Sequence, residues 1–158
     1  MAVSKCRPAT ADRELVIRRV FDAPRELVFQ VWTDPEHIAH WWGPHGFTTP
    51  LETMTMDLRP GGEWRIRMLT PDGTEYWMHG VYREITAPER LVFTYAGTHA
   101  PEHETLVTIT FAELGGKTRM TFRQAVFPTV ADRDDHHGGW SECFDELVDY
   151  LAELPRAR

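Results

Sequence analysis

The chain has 158 residues, of which 42% are hydrophobic and 26% charged, and its formal net charge is −7. This length suits one domain with its own core. The negative charge argues against nucleic acid and anionic membrane surfaces as partners, because both need a basic face. No apolar run approaches the length of a membrane span.

The cysteine content and the first residues predict a cytoplasmic protein. Cys6 and Cys143 are the only cysteines, which argues against a disulfide framework. The N-terminal residues lack the apolar segment of a signal peptide. We predict a flexible leader over residues 1–12, a single domain over 13–154 and a tail over 155–158.

The first third of the chain predicts one strand and two short helices. Residues 13–21 are rich in β-branched and apolar residues, as strands are. Pro24 suits the first position of a helix. The segment 33–36 has the spacing of a capping box, which predicts a second helix. Gly43 and Pro44 end that helix.

Beyond residue 53 the hydrophobic period changes to two, which indicates antiparallel strands with one packed face. The alternating apolar residues are Trp64, Ile66 and Met68, then Leu91, Phe93 and Tyr95, then Val107, Ile109 and Phe111, then Met120 and Phe122. The segment 75–85 is ambiguous. Either Tyr76, Met78 and Tyr82 face inward, or Trp77, His79, Val81 and Ile85 do. A bulge near Gly80 would reconcile the two patterns.

The C-terminal region predicts one long helix. Asp134 and Asp135 precede it, where acidic side chains favour a helix N-terminus. Its apolar face comprises Trp140, Cys143, Phe144, Leu147, Val148, Leu151 and Leu154, and Pro155 ends it. A helix of roughly 30 Å crosses a whole sheet. The predicted fold is therefore α+β: a curved antiparallel sheet of six to seven strands around a long C-terminal helix, with two short helices after the first strand.

Several motifs resemble a known family. They are Arg19-Val20-Phe21-Asp22-Ala23-Pro24, Trp32-Thr33-Asp34-Pro35-Glu36, Trp41-Trp42-Gly43-Pro44, Arg59-Pro60-Gly61-Gly62, Gly80-Val81-Tyr82-Arg83-Glu84-Ile85, Pro88-Glu89-Arg90-Leu91 and Gly139-Trp140. The chain resembles bacterial proteins akin to the C-terminal domain of the activator of the ninety-kilodalton heat-shock protein's ATPase, in the SRPBCC (START-like) superfamily. The resemblance implies a helix-grip fold with an apolar pocket between the sheet and the long helix.

The adjacent indoles of Trp41 and Trp42 predict an aromatic wall around either a core or a cavity. For each aromatic residue taken singly, a place in the core is the simpler interpretation. As a group they favour a cavity, because a sheet curved around one helix leaves space to fill. The predicted pocket-lining residues are Trp41, Trp42, Phe47, Trp64, Met68, Met78, Phe93, Tyr95, Met120, Trp140 and Phe144.

For the remaining candidate functional residues, a structural role is the simpler interpretation. An inward arginine at position 18 or 19 could meet a ligand carboxylate, but a structural salt bridge with Glu142 or Glu146 on the long helix is the favoured interpretation. His79 is a weak candidate for acid–base chemistry. Cys143 is expected to act as a small hydrophobe.

Four histidines, His99, His103, His136 and His137, are interpreted as solvated loop residues, because metal sites need three or four converging ligands. We predict no metal, no cofactor and no catalytic residue.

Three functions remain open. The first is a protein that binds a hydrophobic or aromatic small molecule in the pocket. The second is a cyclase- or hydratase-type enzyme that uses the same pocket with His79, Tyr76 or Tyr82. The third is a chaperone-associated protein that acts through its surface, as the resemblance suggests. A homodimer is also open.

Overall fold

The computed structural model describes residues 12–97 and 102–154 and consists of a seven-stranded antiparallel sheet with one long helix. The strands are β1 (Leu15–Phe21), β2 (Thr55–Met56), β3 (Glu63–Leu69), β4 (Glu75–Thr86), β5 (Arg90–Gly97), β6 (Thr105–Leu114) and β7 (Lys117–Ala125). The helices are α1 (Arg25–Thr33), α2 (Pro35–Trp41) and α3 (Val130–Glu153), with a 3₁₀ turn at Leu51–Thr53. The predicted leader, apart from Asp12, and the predicted tail lie outside the described residues.

The first and last strands in chain order pair with each other in the sheet. Its order is β1-β7-β6-β5-β4-β3-β2, so the first strand lies beside the last. The alternation predicted for β7 is confirmed: Met120 and Phe122 are buried there, and Leu15 and Ile17 of β1 are buried on the same face. The α+β fold predicted from the sequence is the one observed.

The second short helix is capped by a different residue from the one predicted. Asp34, not Thr33, caps α2, since its side chain accepts a hydrogen bond from the Glu36 N–H at 3.0 Å. The Thr33 hydroxyl instead donates to the Phe29 carbonyl within α1. After α2, Gly43 has a φ of 123°, a conformation that other residues rarely adopt.

Strand β4 has the predicted bulge, but further along the chain. Met78 and Tyr82 are buried, and Ile85 packs against the same core. The pairing with β5 shifts register between Tyr82 and Glu84, so the inward parity changes there. One extra residue on β4 therefore places Met78 and Tyr82 on the inward face before the bulge and Ile85 on that face after it. The first alternative for this segment holds up to Tyr82, and the second holds beyond it.

Gly80 permits a close approach at the centre of the sheet. A Cβ atom there would lie 1.8 Å from the Thr94 carbonyl oxygen and 2.6 Å from Trp64 Nε1. Without it, the Trp64 indole donates a hydrogen bond to the same Thr94 oxygen at 3.1 Å. The glycine thus lets the indole N–H reach its partner while it is buried.

Helix α3 begins earlier than predicted. Thr129 is its N-cap, and the Thr129 hydroxyl accepts a hydrogen bond from the Asp132 N–H at 3.0 Å. Asp134 and Asp135 therefore lie inside the helix rather than before it. No described helix is long and apolar enough to cross a membrane.

Arg19 ties the first strand to α3. It shares the inward parity of Ile17, and its Nη2 atom lies 3.0 Å from Asp145 Oδ1 and donates to the Ser141 carbonyl at 3.1 Å. The inward arginine and its structural salt bridge occur as expected, but the acidic partner is Asp145 rather than Glu142 or Glu146.

Candidate functional site

A cavity of about 390 Å³ lies between the N-terminal half of α3 and the sheet. Its volume falls within the range of small-molecule sites, roughly 300–1,000 Å³. Its described lining comprises Trp42, Pro44, Met68, Tyr76, Trp77, Met78, Tyr95, Ala96, Gly97, His103, Thr105, Gln124, Phe127, Pro128, Asp132, Asp135, His136, Gly139, Trp140 and Cys143. Most of these side chains are apolar or aromatic.

The cavity exists because the two halves of α3 pack differently. In the C-terminal half, Phe144, Leu147 and Leu151 are buried against the core. Nearer the N-terminus of α3, the lining positions are Gly139, which has no side chain, and Cys143, which has a small one. They leave space that larger residues would fill.

The two adjacent tryptophans divide between core and cavity. Trp41 is buried, donates to the Val31 carbonyl at 2.9 Å and packs against Trp32. Trp42 lines the cavity and contacts the indole of Trp140, with ring centroids 5.1 Å apart. One indole therefore supports the short helices, and its neighbour forms part of the cavity wall.

The structure brings five of the predicted pocket residues to the cavity. They are Trp42, Met68, Met78, Tyr95 and Trp140. The other six are absent from its lining. Trp64 and Phe93 border a much smaller space of about 10 Å³, and Trp41, Met120 and Phe144 are buried in the core. Phe47 stacks on Tyr76 with ring centroids 6.3 Å apart.

A chain of buried hydrogen bonds crosses one wall of the cavity. The Trp140 indole N–H donates to Gln124 Oε1 at 2.9 Å, and Gln124 Nε2 donates to the Thr105 hydroxyl at 2.8 Å. That hydroxyl donates to the Tyr95 carbonyl at 3.2 Å. Gln124 is fully buried, and these partners fix which way its amide points.

Two ionisable groups in the lining are held neutral by burial. Burial raises the pKa of the Tyr95 hydroxyl, which therefore stays a hydrogen-bond donor. Burial also raises the pKa of the Cys143 thiol to about 12. The Gly43 N–H lies 3.2 Å from the Cys143 sulfur and donates to it. A thiol in this state is a poor nucleophile, in agreement with its expected role as a small hydrophobe.

The sequence suggested that all four histidines are solvated loop residues, and this is wrong for His136 and His137. His136 and His137 lie within α3, and His136 lines the cavity with its Nδ1 atom 2.9 Å from the Asp132 carbonyl. His103 also lines the cavity, whereas His99 lies outside the described residues. Within residues 12–97 and 102–154, no three His, Cys, Asp or Glu side chains cluster as metal ligands would.

The three residues considered for acid–base chemistry lie in different places. Tyr76 lines the cavity. His79 pairs with Arg65 and Ala96 across the sheet and is absent from the cavity lining. Tyr82 borders the smaller space beside Phe93, and burial raises the pKa of its hydroxyl.

The loop after α2 is tied to α3 by His45. The His45 Nδ1 atom lies 2.5 Å from Glu146 Oε2, and its backbone N–H donates to Glu142 Oε1 at 3.1 Å. The hydrogen bond to Glu146 is the main cause that raises the pKa of His45. Because Trp42 and Pro44 precede His45, this pairing holds part of the cavity wall against the helix.

The polar lining was missed from the sequence, although a signal was present. Gln124 follows Met120 and Phe122 at the same inward parity of β7, and Thr105 precedes Val107 at the inward parity of β6. A polar residue at an inward position must find a partner or a cavity. Extending the period-two pattern to the strand ends would have identified both.

The sheet, the long helix across it and the cavity between them define a helix-grip protein of the SRPBCC superfamily. Residues 22–152 match the model of a family described as "Activator of Hsp90 ATPase homolog 1-like protein". The chain belongs to this family.

Solved bacterial structures share the fold. A protein from Nitrosomonas europaea is 27% identical, with a TM-score of 0.77 over 90% of this chain and 96% of that chain. One from Arthrobacter aurescens is 25% identical, with a TM-score of 0.80 over 94% and 91%. One from Chromobacterium violaceum is 25% identical, with a TM-score of 0.77 over 86% and 95%. No curated protein matches the chain.

Proposed function

We propose that this protein binds a small hydrophobic or aromatic molecule in the cavity between α3 and the sheet. The observation that carries the proposal is the cavity of about 390 Å³ with a mainly apolar and aromatic lining. Its wall includes Trp42 and Trp140, whose indoles contact each other at 5.1 Å between ring centroids. Flat apolar ligands bury most of their surface against such rings.

The cavity also carries features that favour binding over catalysis. The thiol of Cys143 in the described lining is held protonated by burial, and His79 lies outside that lining. A cyclase- or hydratase-type reaction would depend on Tyr76, which does line the cavity. A free buried thiol suits a reducing compartment, and we propose the cytoplasm as the site of action.

The test uses an uncharged, environment-sensitive naphthyl ketone dye. We expect its emission to shift to the blue on binding, with a dissociation constant in the micromolar range. This corresponds to a binding free energy of about −8 kcal/mol. Gly139→Leu should reduce this binding at least tenfold, because the glycine lines the cavity and a Cβ there would lie 3.9 Å from Pro44 Cγ.

Gly138→Leu is the matched control. It makes the same chemical change on the neighbouring residue of α3, where a Cβ meets no atom within 4 Å, and it should leave binding unchanged. Equal loss of dye binding in both variants would contradict the cavity as the binding site. Absence of dye binding to the wild-type protein would favour the chaperone-associated alternative, which acts through the surface.

A further inference from the structure

The charges around the cavity restrict the ligand that it would hold. The described lining contains two carboxylates, Asp132 and Asp135, and no lysine or arginine. Arg133, which neighbours Asp132, forms an ion pair with Asp134. In the described lining, an anionic ligand would therefore meet carboxylates without a lysine or arginine to balance it.

The uncharged polar groups of the lining offer hydrogen bonds. The Tyr95 hydroxyl has no hydrogen-bond partner among the described residues. The Gln124 amide has two N–H hydrogens, and the described residues give its Nε2 atom a single acceptor, the Thr105 hydroxyl. Both side chains line the cavity. They suit an oxygen atom of a ketone, alcohol or phenol.

His136 supplies a complementary acceptor. Its Nδ1 atom lies 2.9 Å from the Asp132 carbonyl, which can only accept, so Nδ1 carries a hydrogen and Nε2 is the ring nitrogen left to accept one. The ring packs against Phe127 with centroids 4.9 Å apart and against Tyr95 at 5.9 Å. An aromatic wall and a nitrogen acceptor therefore lie on one side chain.

From these observations we infer that the ligand is an aromatic or apolar molecule whose polar group is uncharged or cationic, and that the cavity discriminates against carboxylates and phosphates. The inference rests on the proposed function, since it concerns the same cavity. It separates this protein from carriers that pair an anionic head group with a lysine or arginine.

The test compares naphthylmethanol, naphthylmethylamine and naphthylacetic acid, which share one aromatic body and differ in charge. We expect calorimetry near neutral pH to detect binding of the alcohol and the amine. The acid should bind at least tenfold more weakly than the alcohol. An acid that binds within threefold of the alcohol would overturn the inference and leave the proposed function standing. Failure of all three compounds and of the dye would instead refute the proposed function.

Variants locate the cause of the discrimination. Asp132→Asn combined with Asp135→Asn should bring the affinity of the acid several-fold closer to that of the alcohol and weaken the amine. Asp134→Asn, on the same helix but paired with Arg133 and outside the lining, should change neither. Tyr95→Phe, which preserves the ring, should weaken the alcohol at least threefold. Unchanged discrimination in the double variant together with unchanged alcohol binding in Tyr95→Phe would overturn the inference.

Discussion

Trp140→Ala should destabilise the protein by about 4 kcal/mol, because this indole joins the helix, the sheet and the cavity wall. Trp140 is 5% exposed, and its ring contacts Phe122 at 4.6 Å and Phe144 at 5.7 Å between centroids. An indole buries roughly 200 Å², worth about 5 kcal/mol at ~25 cal/mol/Å². The alanine methyl retains part of this, and substitutions of this type cost roughly 3–5 kcal/mol.

A hydrogen bond contributes separately to the loss. The indole N–H donates to Gln124 Oε1 at 2.9 Å, and removing it leaves a buried acceptor without its partner, at about 1–3 kcal/mol. Trp140→Phe keeps most of the packing and loses this bond. We therefore expect Trp140→Phe to cost about 1–2 kcal/mol, clearly less than the alanine variant.

The assay is urea unfolding followed by far-ultraviolet circular dichroism, which does not depend on the indole that is removed. Comparable m-values show that the midpoints report stability. Glu153→Ala, on the exposed end of α3, is the control and should lie within about 0.5 kcal/mol of wild type. A Trp140→Ala variant as stable as this control would refute the assignment of Trp140 as the anchor of the helix.

Three further predictions concern Gly138, His45 and Cys143. Gly138→Ala should stabilise the protein by about 1 kcal/mol in the same assay, because the residue is exposed within α3 and alanine favours helix. The melting-temperature difference between wild type and His45→Gln should be largest at acidic pH and should shrink as the pH rises through the raised pKa of His45, since a raised pKa stabilises the fold fully only below its unfolded value near 6.5. In a Cys6→Ser background, native Cys143 should react with iodoacetamide at least a hundredfold more slowly near pH 8 than it does in urea, because burial raises its pKa to about 12.

Each of these has an outcome that would contradict it. A destabilised Gly138→Ala would show that the glycine has a role that its open surroundings do not explain. A melting-temperature difference for His45→Gln that is independent of pH would contradict stabilisation by the contact between protonated His45 and Glu146. So would an equal difference for His137→Gln, on the exposed side of α3. Rapid native alkylation of Cys143 would show that the cavity opens readily to the reagent.

The fold was predictable because its pattern is carried by local repeats, such as the alternation of Trp64 and Ile66 on β3. The start of α3 was misplaced because the capping hydroxyl of Thr129 is a weaker signal than two adjacent aspartates. The cavity was harder to predict from the sequence, because its position depends on the distance between the N-terminal half of α3 and the sheet. Periodicity alone assigned Phe144 and Trp140 to the same face, yet Phe144 is packed in the core and Trp140 borders the space.

The close approach at Gly80 makes the two neighbouring strands unequal in the substitutions that they tolerate. Loss of the indole at position 64 leaves a cavity but no collision. A side chain at position 80 would collide whatever residue stands at position 64, because the new Cβ would lie 1.8 Å from a backbone oxygen as well as 2.6 Å from the indole nitrogen. The tryptophan can therefore be replaced alone, and the glycine cannot be replaced even after the tryptophan is lost.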